Sequence, residues 1–212
     1  MKVLLDNKSF EVKSLTIEQY LALKENPDLK DYELIHILTG IPIEEILQAP
    51  MSDVKFVANM LLGEYAQSED LTELDLDLEI DGVLYGLIRP SKMSYEEWIN
   101  MEVFMTESPI NLPKIATHLY RPLASDKLGE ERELIKYSLE ECSGREELFR
   151  KKFKMNKLTT ALFFLTTFAQ TLTENFLSSI PNKQKKKKIQ EMERELRLKK
   201  LSNPLLTTTT KR

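Results

Sequence analysis

Residues 74–88 read LDLDLEIDGVLYGLI. From Leu74 to Ile80 apolar and acidic side chains alternate strictly, the pattern of a strand with one face buried and one in water. Asp81-Gly82 predicts a two-residue type I′ turn, with Val83–Ile88 as the returning strand and Arg89-Pro90 as its end. Ser94-Tyr-Glu-Glu97 is a capping box, so a helix follows, carrying Tyr95, Trp98, Ile99 and Phe104. The N-terminus repeats the succession. Met1–Leu5 and Ser9–Lys13 flank the turn-forming trio Asp6-Asn7-Lys8. Thr16-Ile-Glu-Gln19 then opens a helix with Ile17, Tyr20 and Leu21 on one face, stopped by Asn26-Pro27. Two short hairpins, at about 1–13 and 74–88, each followed by helices, place the chain in the α+β class.

The remainder reads as helix, so the fold is predominantly helical. A helix at Asp31–Thr39 ends at Gly40, and Ile41-Pro42 opens a short turn through Leu47. Ser52–Tyr65 follows, with Ser52 as N-cap and Val54, Val57, Ala58, Leu61, Leu62 and Tyr65 as a core-facing stripe. Asn111-Leu-Pro113 starts another helix, whose stripe is Leu112, Ile115, Ala116, Leu119, Tyr120 and Leu123. Arg121-Pro122 and a polar loop to Gly129 close it. A charged helix is expected over Gly129–Glu141, then a basic stretch Arg145–Lys154 with Leu148, Phe149 and Phe153. A long helix spans 156–180. Beyond Pro181-Asn182, Lys183–Leu201 reads as a basic C-terminal helix with a frayed tail. The organisation is therefore a 1–180 body, as one unit or two packed lobes (1–73 and 74–180), plus a 181–212 extension.

Composition narrows the functional classes. The 212 residues are 42% hydrophobic and 30% charged, with six Gly, nine Pro and one Cys, which excludes collagen-like and disulfide-scaffold chains. Residues 181–212 hold 11 of the 30 basic and three of the 34 acidic side chains, a net of +8 against −12 for residues 1–180. The opening MKVLLDNKSF has an apolar run too short for a signal-peptide core. Leu158 to Ile180 is long enough to span a bilayer, but its eight Ser/Thr with Gln170, Glu174 and Asn175 oppose that. Leu158, Leu162, Leu165, Phe168/Ala169, Leu172 and Phe176 recur at helical steps, which predicts an amphipathic helix instead.

No spacing assembles a reaction centre. Asp77-x-Glu79-x-Asp81-Gly82 is similar to the start of a calcium loop, yet the twelfth position, where a bidentate Glu belongs, is Ile88. His36, His118 and Cys142 are the groups with reference pKa values near neutrality. His118, on a helix with an apolar face, reads as structural, because no ligands stand at metal spacing around it. A Cys142–His118 nucleophile pair would need a spatial meeting that no motif supplies. No two glycines fall at G-x-G spacing and no GK[ST] occurs. No catalytic residue, metal ligand or cofactor is assigned.

The basic extension is the most specific surface feature. Lys183, Lys185, Lys186, Lys187 and Lys188 stand where a helix would begin, opposing its dipole. Ile189, Met192 and Leu196 form a narrow stripe behind them. These eight residues are the candidate partner-binding set, either for an acidic protein surface, the −12 body of this chain included, or for a partner helix. Nucleic acid ranks third, since the segment lacks interleaved aromatics and has acids among its lysines.

The succession MKVLLDNKSFEV, LTIEQYLAL, LTGIP, LEIDGVLYGL, SYEEWINME, LPKIATHLYRPL and TALFFLTTF resembles a group of small α+β proteins encoded in the tail-gene clusters of tailed bacteriophages. That group is similar in arrangement to tail assembly chaperones and baseplate-hub assembly proteins. The likeness covers about 1–180 and is most specific at Leu112–Pro122 and at Phe163–Phe164, which the pattern places at the closure of the core. The extension 181–212 falls outside it. The resemblance implies a non-enzymatic assembly chaperone in the host cytoplasm, binding a tape-measure, tube or hub protein. A structural tail, baseplate or connector subunit retained in the virion is the alternative, and a nucleic-acid-binding accessory protein the second.

Overall fold

The N-terminal hairpin pairs β1 (Lys2–Leu5) with β2 (Lys8–Glu11), Val3 opposite Phe10, in a computed structural model that describes residues 2–5, 8–11, 14–67, 71–124 and 133–179. Leu5 is buried and Leu4 faces solvent, as strand alternation requires. Asp6 and Asn7 of the expected turn lie outside the described residues. The capping box forms as read: Gln19 N–H donates to Thr16 Oγ1 and Thr16 N–H to Gln19 Oε1 at 3.0 Å, opening α1 (Ile17–Glu25). The same Gln19 amide donates to the carbonyl of Ile37 at 3.0 Å, tying α1 to α2 (Asp31–Thr39). Gly40 ends α2 at φ +75, a left-handed conformation that suits glycine.

Next come α3 (Ile43–Gln48) and α4 (Met51–Gln67), both with α2 in one helical layer. Ser52 is not the cap of α4. The Pro50 carbonyl accepts from Asp53 and Val54 N–H, so the helix starts one residue earlier, and Ser52 Oγ turns to Asp53 Oδ1. Val57, Ala58 and Leu61 of the expected stripe are buried, whereas Leu62 faces water.

The second hairpin is β3 (Asp77–Ile80) with β4 (Val83–Leu87), Ile80 opposite Val83. Asp81 and Gly82 have φ +49 and +79, both positive as a type I′ turn requires. After a 3₁₀ turn at Pro90–Lys92, Ser94 caps α5 (Tyr95–Thr106) in a complete capping box with Glu97. Asn111 precedes α6 (Leu112–Leu119).

Two helical expectations fail beyond that point. Tyr120 does not extend the α6 stripe: Tyr120–Pro122 is β5, which pairs antiparallel with β4 and completes a three-stranded sheet. Pro122 has no N–H and cannot continue the helical hydrogen bonding, and Tyr120–Pro122 instead pairs along β4 with Arg121 opposite Gly86. Of the charged helix expected over Gly129–Glu141, residues 129–132 lie outside the described residues and 133–138 are not helical. Leu134 bridges Leu123, Ala124 N–H donates to the Glu133 carbonyl, and Ile135 N–H donates to the Pro122 carbonyl. Helix returns only at α7 (Leu139–Gly144), capped by Ser138, followed by α8 (Glu146–Lys152) and α9 (Met155–Ser179).

The chain divides into two compact units, Met1–Phe163 and Phe164–Arg212. The core of the first is built round a ring stack. Tyr85 meets Phe149 edge-on at 5.1 Å, Phe149 stacks on Phe153 at 5.3 Å, and Phe153 lies 5.1 Å from Tyr120. The backbone at Phe153–Met155 closes the unit on its own beginning. Ile17 N–H donates to the Phe153 carbonyl, and Met155 N–H to the Leu15 carbonyl at 2.8 Å. Phe163, expected to close the core, is exposed instead, as is Phe164 of the second unit. Met155, Leu158, Thr160, Ala161 and Leu165 are the buried positions of α9 among the described side chains, and both phenylalanines project from other sides of the helix. Of the amphipathic stripe predicted farther along, Leu172 is exposed. No helix among the described residues is long and apolar enough to cross a membrane.

Candidate functional site

Helix α5 buries an acid and turns apolar side chains to solvent. Glu97 is 3% exposed and shares the inward face with Met101, while Tyr95 is 81%, Val103 49% and Ile99 40% exposed. The capping box is the local cause. Glu97 must fold back on its own cap, where its Oε2 accepts from Ser94 N–H at 2.6 Å, and that position points inward. Its other oxygen, Oε1, lies 3.3 Å from Arg121 Nη1 on β5. Both side chains of this ion pair are more than nine-tenths buried. Removing either partner would strand a charge in the interior, so the pair fixes which face of α5 turns in.

A second polar line holds the same helix. His118 Nδ1 lies 2.7 Å from the Lys114 carbonyl, which can only accept, so Nδ1 carries the hydrogen. Burial pushes the imidazole pKa below its ordinary value, as do Arg145 and Arg121, against the Lys114 carbonyl and Glu97. The neutral ring then has Nε2 as acceptor, and Tyr137 OH donates to it at 3.1 Å. Tyr137 in turn accepts from Asn100 Nδ2 of α5 at 2.8 Å. The order Asn100, Tyr137, His118, Lys114 carbonyl is thus a directional chain in which each hydrogen has one acceptor. Phe104 of α5 adds an edge-on ring contact with His118 at 4.9 Å.

Cys142 reaches the same region, though not the imidazole. Its thiol donates to the Thr117 carbonyl at 3.6 Å and accepts from Arg145 Nη2 at 3.5 Å. The residue is fully buried, and burial pushes the thiol pKa up against the opposing pull of Arg145 and Arg121. Both imidazole nitrogens are already engaged, so the nucleophile pair weighed from sequence does not form. The cluster holds two guanidinium groups beside one buried carboxylate, and Arg145 Nη1 also lies 3.9 Å from the exposed Glu141. What this arrangement does chemically is hold charge and orientation rather than present a reactive atom.

The remaining sequence candidates are dispersed. His36 is exposed, with Nδ1 donating to the Ile41 carbonyl at the end of α2. Asp77 and Glu79 lie on a strand, and Asp81 pairs with Lys152 at 3.5 Å. Among the described residues no group of three His, Cys, Asp or Glu is placed to hold a metal. Lys183, Lys185, Lys186, Lys187, Lys188, Ile189, Met192 and Leu196 lie outside the described residues. The outward line Tyr95, Ile99, Val103 was visible in sequence as a four-residue step. Its direction was not, because Met101 and Phe104 make the opposite side apolar too. No family model matches the chain, and no curated protein or solved structure matches it at a significant level.

Proposed function

We propose that the chain is a non-enzymatic assembly protein of a phage tail or baseplate, acting by protein–protein contact. The observation that carries the contact role is α5, which turns Tyr95, Ile99 and Val103 to solvent while burying Glu97. Large apolar side chains aligned on a rigid exposed helix gain free energy by being covered, and a partner is what covers them. The phage context rests on the resemblance across 1–180, and the lysine-rich set from Lys183 to Leu196 is proposed as a further contact region.

The test is mass spectrometry of purified virions beside infected-cell lysate, with pull-down of the tagged chain from that lysate. A chaperone is expected to be missing from finished particles and to recover a tape-measure, tube or hub protein. Fixed copy number in particles would make it a structural subunit instead. Absence from particles together with no tail protein in the pull-down would overturn the phage reading.

A further inference from the structure

We propose that the outward face of α5 is a preformed docking surface for a basic amphipathic helix of a partner protein. The inference deepens the contact reading above and rests on it. Tyr95, Ile99 and Val103 step four residues at a time along a helix of about 18 Å, a line that one partner helix of three turns can follow. The rim is acidic. Residues 93–113 contain Glu96, Glu97, Glu102 and Glu107 and no Lys or Arg. Glu97 is the buried one; Glu96, Glu102 and Glu107 are exposed. Lys114, the first basic residue after this stretch, has its ammonium 5.5 Å from the Phe104 ring.

Charge decides the occupant. A basic rim on the partner is attracted, whereas a second copy presenting the same α5 face would set acid against acid. Anionic lipid and nucleic acid are repelled for the same reason. The surface is also held in place before binding. Turning the stripe inward would break the Glu97–Arg121 pair and the Asn100–Tyr137 hydrogen bond, so little ordering is left for the partner to impose.

Trp98, the single tryptophan, lies on α5 beside the stripe with its indole N–H on Glu102 at 3.1 Å, so its emission reports locally. The probe is a tryptophan-free, amidated model helix of about 18 residues, with Leu at heptad a and d positions and Lys on both flanks, titrated into the full chain. A Lys→Glu counterpart peptide is the control. The expected result is a saturable Trp98 shift with the Lys peptide alone, weakening at least about tenfold from low to high salt. Ile99→Asn with Val103→Asn, and separately Glu96→Lys with Glu102→Lys, should each weaken it at least about tenfold. Glu44→Lys on α3 should leave it unchanged, and circular dichroism should show all variants folded. Binding that survives the α5 changes, or no Trp98 shift, overturns the docking surface. A tail protein recovered equally by wild type and the Ile99→Asn/Val103→Asn variant would sink the docking surface while leaving the assembly reading intact. Peptide docking at α5 with no tail partner recovered would do the reverse.

Discussion

Protonating His118 would make Nε2 a donor, so Tyr137 OH would face two donors, Asn100 and the imidazolium, and lose the acceptor for its own hydrogen. It would also add a third positive charge beside Arg121 and Arg145. The folded-state pKa is lowered, so the folded protein binds fewer protons here than the unfolded chain below about pH 6.5. Stability from this group is fully present above the unfolded value and is lost as pH falls through the folded one. Urea denaturation at a series of pH values should therefore show a decline below about 6.5 that flattens in His118→Gln. An unchanged slope in that variant would assign the decline to other groups. Arg121→Leu should destabilise by about 3–5 kcal/mol, because it leaves Glu97 charged and buried. The double change Glu97→Met with Arg121→Leu should recover most of that loss, and chemical denaturation of the three proteins reads the difference. These residue-level relations were not legible in sequence. Glu97 was readable as the last of the four residues of a capping box and Arg121 as the residue before a proline, but nothing linear joins positions 24 apart.

Among the elements, the capping boxes of α1 and α5 and the Asp81-Gly82 turn form as the sequence predicts, because their determinants lie within four residues. Ser94→Ala should cost about 1 kcal/mol and raise amide hydrogen exchange in the first turn of α5. It removes the Oγ that accepts from Glu97 N–H at 3.2 Å, while the backbone N–H of residue 94 still donates to Glu97 Oε2, so the first turn should fray without releasing the Glu97 carboxylate. Gly82→Val should cost about 1–2 kcal/mol, since φ +79 is strained for a β-branched residue; the cost should appear as a lower denaturation midpoint. Elements whose identity depends on distant partners carry no local signature of it. Tyr120–Pro122 follows a helix with an unbroken apolar stripe, and only the free edge of β4 makes it a strand. Residues 133–135, Glu-Leu-Ile, are locally helix-compatible, yet the backbone of 122–124 offers them extended pairing.

At the scale of the first unit, residues near opposite ends of the sequence close the core. Leu15–Ile17 bonds with Phe153–Met155, Thr72 N–H donates to Thr160 Oγ1 at 2.9 Å, and Asp75 pairs with Lys157 at 2.8 Å. Phe153→Ala should cost about 3–5 kcal/mol, because the ring touches both Phe149 and Tyr120. The loss should appear in one cooperative transition, with probes on α1 and on the β3–β5 sheet melting together. Separate melting of α1 would show that the Phe153–Met155 closure does not couple them. The chain by itself determined its α+β class, its two hairpins, the caps of α1 and α5 and the end of α2, because periodicity and short-range hydrogen bonding act over a few residues. Tertiary structure alone decided that β5 exists, that Phe149 and Phe153 rather than Phe163 close the core, and that α5 turns an acid inward and an apolar line outward. Each of those outcomes depends on which distant surface meets the element, and burial and ion pairing choose among faces that the local pattern leaves nearly equal.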